Sequence, residues 1–289
     1  MFRSSVPKGS ANPPQPKKRF VLPTPTTRKP IKVPRAQDIT THSGALVKPS
    51  EEVTKSIGCR ELVVGVDIET HDWEANRGSE GGTGQYGHYA RCNSNDHAAR
   101  IVQIGWAVRK HGEAPDVKER LIKPHGYTIS AKASKYHGIS HEFADSHGVQ
   151  LRDVLSEFMQ EMSALHRAGA RMVVHHLEFD CGIISKELSR VCLDDLQEEW
   201  ATIARNGLCT MDPSIGKWVR TCKGLELAPC HSGNTMKLDD MLRCLLPDVC
   251  RGARHSAGCD ARLHVLLFDA LHDLLNKTSE PADQREVGS

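Results

Sequence analysis

The stretch that most constrains this chain is residues 62–70, where Leu62-Val63-Val64-Gly65-Val66 leads directly into Asp67-Ile68-Glu69-Thr70. A short, β-branched apolar run of this kind forms a strand buried within a sheet. Side chains alternate along a strand, so Asp67 and Glu69 emerge side by side from one face. Two like charges at the end of an apolar strand repel each other. A divalent cation relieves that repulsion, and hard oxygen donors suit Mg²⁺ or Mn²⁺. A solvated strand end also accommodates the pair, so this segment alone leaves both readings open.

The pattern further along supplies the rest of the sheet. Residues 71–99 are polar and glycine-rich, and 100–108 and 116–122 then read as a second and third strand, making an antiparallel meander with the first. Apolar residues at 151, 154, 155, 158, 162 and 165 recur at helical spacing and predict an amphipathic helix over 151–166. Strands over 171–174 and 208–211, one long helix over 179–204, and helices over 237–246 and 260–275 complete the reading. A meander followed by αβα units places the chain in the α/β class, as a mixed sheet with helices on its faces.

Two further carboxylates start helices. Asp180 follows Val173-Val174-His175-His176-Leu177-Glu178-Phe179, where a strand passes into a helix and a carboxylate meets the positive end of the helix dipole. Asp260 closes His255-Ser256-Ala257-Gly258-Cys259-Asp260, just ahead of the last helix. Either could be a simple N-cap. The spacing also lets a carboxylate at a helix start bind metal while His255 reaches a water. Imidazole suits that task because its ordinary pKa of about 6.5 lies near neutral pH.

Charge is unevenly spread. Nine of the 38 Lys and Arg residues fall in the first 37 positions, which contain no acid, so the body has 29 basic against 36 acidic residues. A nucleic-acid binder with an acidic body draws its attraction from local clusters, bound cations or the tail, and favours short substrates or strand ends over long duplex. Eight prolines in those 37 positions exclude regular structure, so residues 1–55 read as a disordered basic tail, 56–280 as the folded domain and 281–289 as a disordered end. Lys17-Lys18-Arg19 could act as a nuclear-import signal, and the acid-free start as an organellar transit segment or a plain linker. With no long apolar run, no membrane span is expected. The reading is an intracellular protein, nuclear or cytoplasmic with an organellar destination open, whose ten cysteines stay mainly as thiols.

Val66-Asp67-Ile68-Glu69-Thr70, Arg100-Ile101-Val102-Gln103-Ile104-Gly105, Tyr136-His137-Gly138-Ile139-Ser140, His175-His176-Leu177-Glu178-Phe179-Asp180 and 255–260 together resemble, in order, the motifs of the DEDDh 3′-to-5′ exonucleases. The proofreading subunit of bacterial replicative polymerase is of this kind. The resemblance implies a ribonuclease H-like fold, a five-stranded mixed sheet flanked by helices. It implies that Asp67, Glu69, Asp180 and Asp260 hold two Mg²⁺ or Mn²⁺ ions and that His255 is the general base. It further implies that nucleoside 5′-monophosphates are released from single-stranded 3′ ends of DNA or RNA. A histidine five residues before the last aspartate distinguishes this branch from the one that uses tyrosine. Ile68, Thr70, His176 and Phe179, interleaved with the carboxylates, are the candidate substrate contacts.

The chain departs from the family in two places. His176 stands where Asn is usual, and it either touches substrate or packs as a neutral residue. The 71–99 connection is longer than usual and offers Tyr86, His88, Tyr89 and Arg91 near the end of the first strand. A zinc site among Cys222, Cys230, His231, Cys244, Cys250, His255 and Cys259 is disfavoured, because no C-x-x-C pair occurs. The alternatives to an enzyme are a catalytically weak nucleic-acid-binding or scaffold protein that keeps the fold, and a zinc-stabilised module. Oligomeric state is not encoded in any of these features.

Overall fold

The computed structural model describes residues 47–58, 61–72, 99–224, 235–249 and 255–279. The strands β1 (Leu62–Thr70), β2 (Ile101–Lys110), β3 (Asp116–Leu121), β4 (Arg171–Val174) and β5 (Leu208–Cys209) form one sheet of order β3-β2-β1-β4-β5. β2 is antiparallel to β1 and β3, whereas β4 runs parallel to β1 and β5 parallel to β4. The expected five-stranded mixed sheet is present, with the strand bearing Asp67 and Glu69 at its centre.

Alternation along β1 sorts its residues between two cores. Val64, Val66 and Ile68 pack with α4 (Leu151–Arg167), α5 (Leu177–Arg190) and α6 (Asp195–Arg205). Val63 faces the other way, toward α1 (Glu51–Ile57), α7 (Pro213–Cys222), α8 (Leu238–Leu245) and α9 (Ala257–Ser279). Asp67 and Glu69 share the parity of Val63, so both carboxylates stand on the α9 side. A smaller third cluster, from Val102 through α2 (Ala131–His137) and α3 (His141–His147), closes the end of β2.

Two glycines set how closely α9 approaches. A Cβ on Gly65 would lie 2.0 Å from the Ala261 carbonyl oxygen, and one on Gly105 would lie 2.2 Å from the Gly258 nitrogen. The helix backbone therefore rests on the sheet backbone, which brings Asp260 down beside β1.

The structure differs from the sequence reading in several places: it adds α2, α3 and α7, and β5 spans only Leu208–Cys209. The long helix over 179–204 is two, α5 and α6, because the chain turns at 191–194 with Cys192 in the left-handed region at φ 54°. Arg152 donates to the Val191 carbonyl freed by the break, and α6 folds back so that Trp200 Nε1 donates to Cys181 O at 3.0 Å. α1 begins at Glu51, inside the span assigned to the tail, and is capped by Ser50. α9 begins at Ala257, so Asp260 lies within its first turn. Residues 1–46 and 280–289, and Tyr86, His88, Tyr89 and Arg91 of the 71–99 connection, lie outside the described residues. Among the described residues no helix is long and apolar enough to cross a membrane.

Candidate active site

The end of β1 supplies Asp67 and Glu69, the first turn of α5 supplies Asp180, and the first turn of α9 supplies Asp260. Oxygens of Asp67, Glu69 and Asp260 all lie within 4.8 Å of one another. Asp180 sits beneath them, 3% exposed, and its Oδ1 accepts the Ile68 backbone N–H at 3.2 Å. That bond ties it to the peptide between the two β1 carboxylates. Asp180 reaches this place through His176, whose left-handed backbone (φ 84°) turns β4 into α5.

Crowding and burial act together on these acids. The Asp67 carboxyl is held well above the usual carboxylate range, first by burial and then by the charges of Asp180, Asp260 and Glu69. Burial, then Asp260, Asp180 and Glu119, push Glu69 up to about 8. Asp180 is also raised, chiefly by burial and against the pull of the Ile68 bond. Each of the four is thus felt by its neighbours, and every named influence on Asp67 and Glu69 disfavours their charge. Such a site fits divalent cations, since only an added positive charge lets these oxygens ionise together.

The carboxylates open into a cleft of about 380 Å³. Asp67, Glu69 and Asp260 form part of its wall, and so does His255. Of the candidate substrate contacts, Ile68, Thr70 and Phe179 line the cleft. His176 is not among the lining residues; its ring stacks on Phe179 at 5.5 Å with an interplanar angle of 11°.

His255 is held in a strained left-handed conformation (φ 71°), and its ring meets Tyr136 at 4.0 Å between centroids. Tyr136 is 62% exposed on the cleft rim. His137 lies beside it, with its Nδ1 accepting the Ile139 N–H at 3.1 Å.

Several residues that the sequence reading assigned no role belong to the site. Tyr136 and His137 stood in a quoted motif without a function. His264, one turn beyond Asp260, is fully buried; its Nδ1 lies 3.0 Å from Val66 O and its Nε2 lies 3.9 Å from Asp67 Oδ1. A carbonyl only accepts, so Nδ1 carries the proton and Nε2 presents a lone pair. Burial depresses His264 to about 4, so it faces Asp67 as a neutral ring and not as an ion-pair partner. The i,i+4 spacing from Asp260 was its one visible signal. Glu119 acts on Glu69 from β3, which only the strand register reveals.

Among the described residues, the one group of three or more metal-type side chains within mutual reach is Asp67, Glu69 and Asp260. Cys222, Cys244 and Cys259 stand outside it, while Cys230, His231 and Cys250 lie outside the described residues.

The fold is ribonuclease H-like. In solved structures it is similar to exonuclease I from Methylocaldum szegediense, at 18% identity and TM-score 0.51, covering 75% of this chain and 41% of that one. It is similar also to E. coli exonuclease I in complex with a dA16 oligonucleotide, at 13% identity and TM-score 0.54, covering 76% of this chain and 42% of that one. A further exonuclease I structure matches at 12% identity and TM-score 0.53, over 75% of this chain and 44% of that one. The chain spans less than half the length of these enzymes. No protein-family model and no curated protein matches it.

Proposed function

We propose that this chain is a metal-dependent 3′-to-5′ exonuclease of the DEDDh type, acting on single-stranded ends of DNA or RNA. The observation that supports it most is the meeting of Asp67, Glu69, Asp180 and Asp260, drawn from three remote stretches, beside a cleft that also holds His255. Similarity to exonuclease I, which is described with a bound dA16 strand, favours the same chemistry and a single-stranded substrate.

When bound there, two Mg²⁺ or Mn²⁺ ions supply Lewis-acid stabilisation of the phosphodiester and of the departing 3′ oxygen. Asp67, Glu69, Asp180 and Asp260 would hold them. His255 takes the proton of the attacking water, a role open to it from the cleft wall. Ile68 and Phe179 offer apolar surface to the terminal nucleotide and Thr70 a hydroxyl, and the cleft's modest volume suits a strand end better than a duplex. His176 acts at one remove, by supporting Phe179.

The test is laddering of 5′-labelled single-stranded DNA, duplex DNA and RNA with Mg²⁺ or Mn²⁺, alongside Asp67→Ala and His255→Ala. Stepwise shortening from the 3′ end that both substitutions abolish supports the reading. Degradation that survives both, or none with either cation, rejects it.

A further inference from the structure

The first turn of α9 is held down by two side chains that the catalytic assignment leaves unused. Gln103 on β2 is buried, and its Oε1 accepts the Ala257 N–H at 2.9 Å. Glu119 lies one strand further out on β3. Its Oε2 accepts the Gly258 N–H at 2.9 Å and also the Ser256 hydroxyl. The first N–H groups of any helix lack partners within it and need an outside acceptor. That acceptor is usually the residue just before the helix. Here the acceptors come from 154 and 139 residues away in the chain, so the helix start is located against the sheet as well as capped.

What this turn carries makes its location matter. His255 lies two residues before it and Asp260 within it, and both line the cleft. His255 precedes α9, and the Asp260 N–H bonds back to Ser256 O at 2.9 Å. The sheet below is shaped to receive the turn. Glu119 pairs with Gly105 in the β2–β3 register, and a Cβ on Gly105 would run into Ala257 and Gly258. At Gly258 a Cβ would lie 2.9 Å from the Glu119 oxygen, so a glycine is needed there for the carboxylate to reach the backbone.

Resting on the exonuclease reading, we propose that Gln103 and Glu119 are positioning residues that clamp 256–258 to the sheet, so that His255 and Asp260 face one phosphodiester. Glu119 is acidic and acts on Glu69, yet it stands outside the group formed by Asp67, Glu69 and Asp260, and its Oε2 is occupied by two donors of the α9 turn. Its task is therefore to hold the loop. Because the acceptor matters more than the charge, glutamine should replace it and alanine should not.

The full chain is compared with Glu119→Ala and Glu119→Gln, using Mn²⁺ and a short single-stranded oligonucleotide. Glu119 is exposed on an edge strand, so both variants should fold. Misplacement of a catalytic group by about 1 Å costs roughly a hundredfold, so Glu119→Ala should lower kcat by about ten- to a hundredfold, with KM within about twofold. Glu119→Gln keeps an amide oxygen to accept from Gly258 and Ser256, and should recover to within about threefold of the parent. Hydrogen exchange of the 256–260 amides, measured without cation or substrate, should be about tenfold faster in the alanine variant and near the parent in the glutamine variant. Unchanged exchange or unchanged kcat in Glu119→Ala, or equal losses in both variants, overturns the clamp. A parent chain inert toward nucleic acid rejects the exonuclease reading instead, and the exchange comparison still decides the clamp.

Discussion

Asp180 Oδ1 accepts the Ile68 backbone N–H at 3.2 Å across 112 residues of sequence. The bond fixes α5 against β1 at the peptide that separates Asp67 from Glu69, so the acidic group is assembled by a contact that does not itself need a cation.

Asp180→Asn keeps an oxygen to accept from Ile68 and removes a buried charge. We expect the ion-free variant to melt at or above the parent temperature. Hydrolysis should fall by about a hundredfold or more, the scale of losing one preorganised electrostatic contact to a transition state. Melting curves with a chelator, set beside turnover with Mn²⁺, check both halves.

Stability should depend on pH in an unusual direction. Glu69 titrates near 8 in the fold against an ordinary 4.5, so the native state binds more protons than the unfolded chain between those values. The contribution of Glu69 to ion-free stability is therefore fully present below about 4.5 and is lost as pH climbs to about 8. Asp67 and Asp180 are shifted in the same direction. Saturating Mn²⁺ should oppose the loss, contributing about 4 kcal/mol at a thousandfold excess over its Kd. Thermal melts across pH 5 to 9 with chelator or Mn²⁺ would show it; a flat ion-free profile contradicts the crowded carboxylates.

Gly65→Ala places a methyl group against α9 backbone, where no rotamer change gives relief. Overpacking of this sort costs about 3 kcal/mol or more. Denaturant unfolding should report that loss, and residual folded protein should bind Mn²⁺ weakly because Asp260 has been lifted from β1.

Tyr136→Ala removes the ring that meets His255 while leaving the core untouched. The melting temperature should hardly move, and turnover should fall about tenfold, in line with an aromatic contact of about 0.5–1.5 kcal/mol. Tyr136→Phe should retain the contact and the rate.

Much of this site was legible because its signals are local. The two-residue period of a strand places Asp67 beside Glu69, and the strand-to-helix steps before Asp180 and Asp260 place carboxylates at helix starts. What stayed hidden depends on partners distant in sequence. Glu119 and Gln103 look like ordinary strand residues until the β1-β2-β3 register sets them under α9. The α5–α6 break has neither Gly nor Pro to announce it and relies on Cys192 adopting a left-handed turn. α7 was signalled after all: Asp212 caps it, Pro213 opens it, and Ile215, Trp218, Val219 and Cys222 recur at helical spacing.

The helix that carries Asp260 at one end is anchored by Leu271, Leu274 and Leu275 at the other. A helix advances about 1.5 Å per residue and scarcely compresses, so it behaves as a rod whose far end sets the depth of its near end. Damage to those leucines would therefore be registered as poor cation affinity at a distance, and a screen for lost activity would recover substitutions that never approach the cleft.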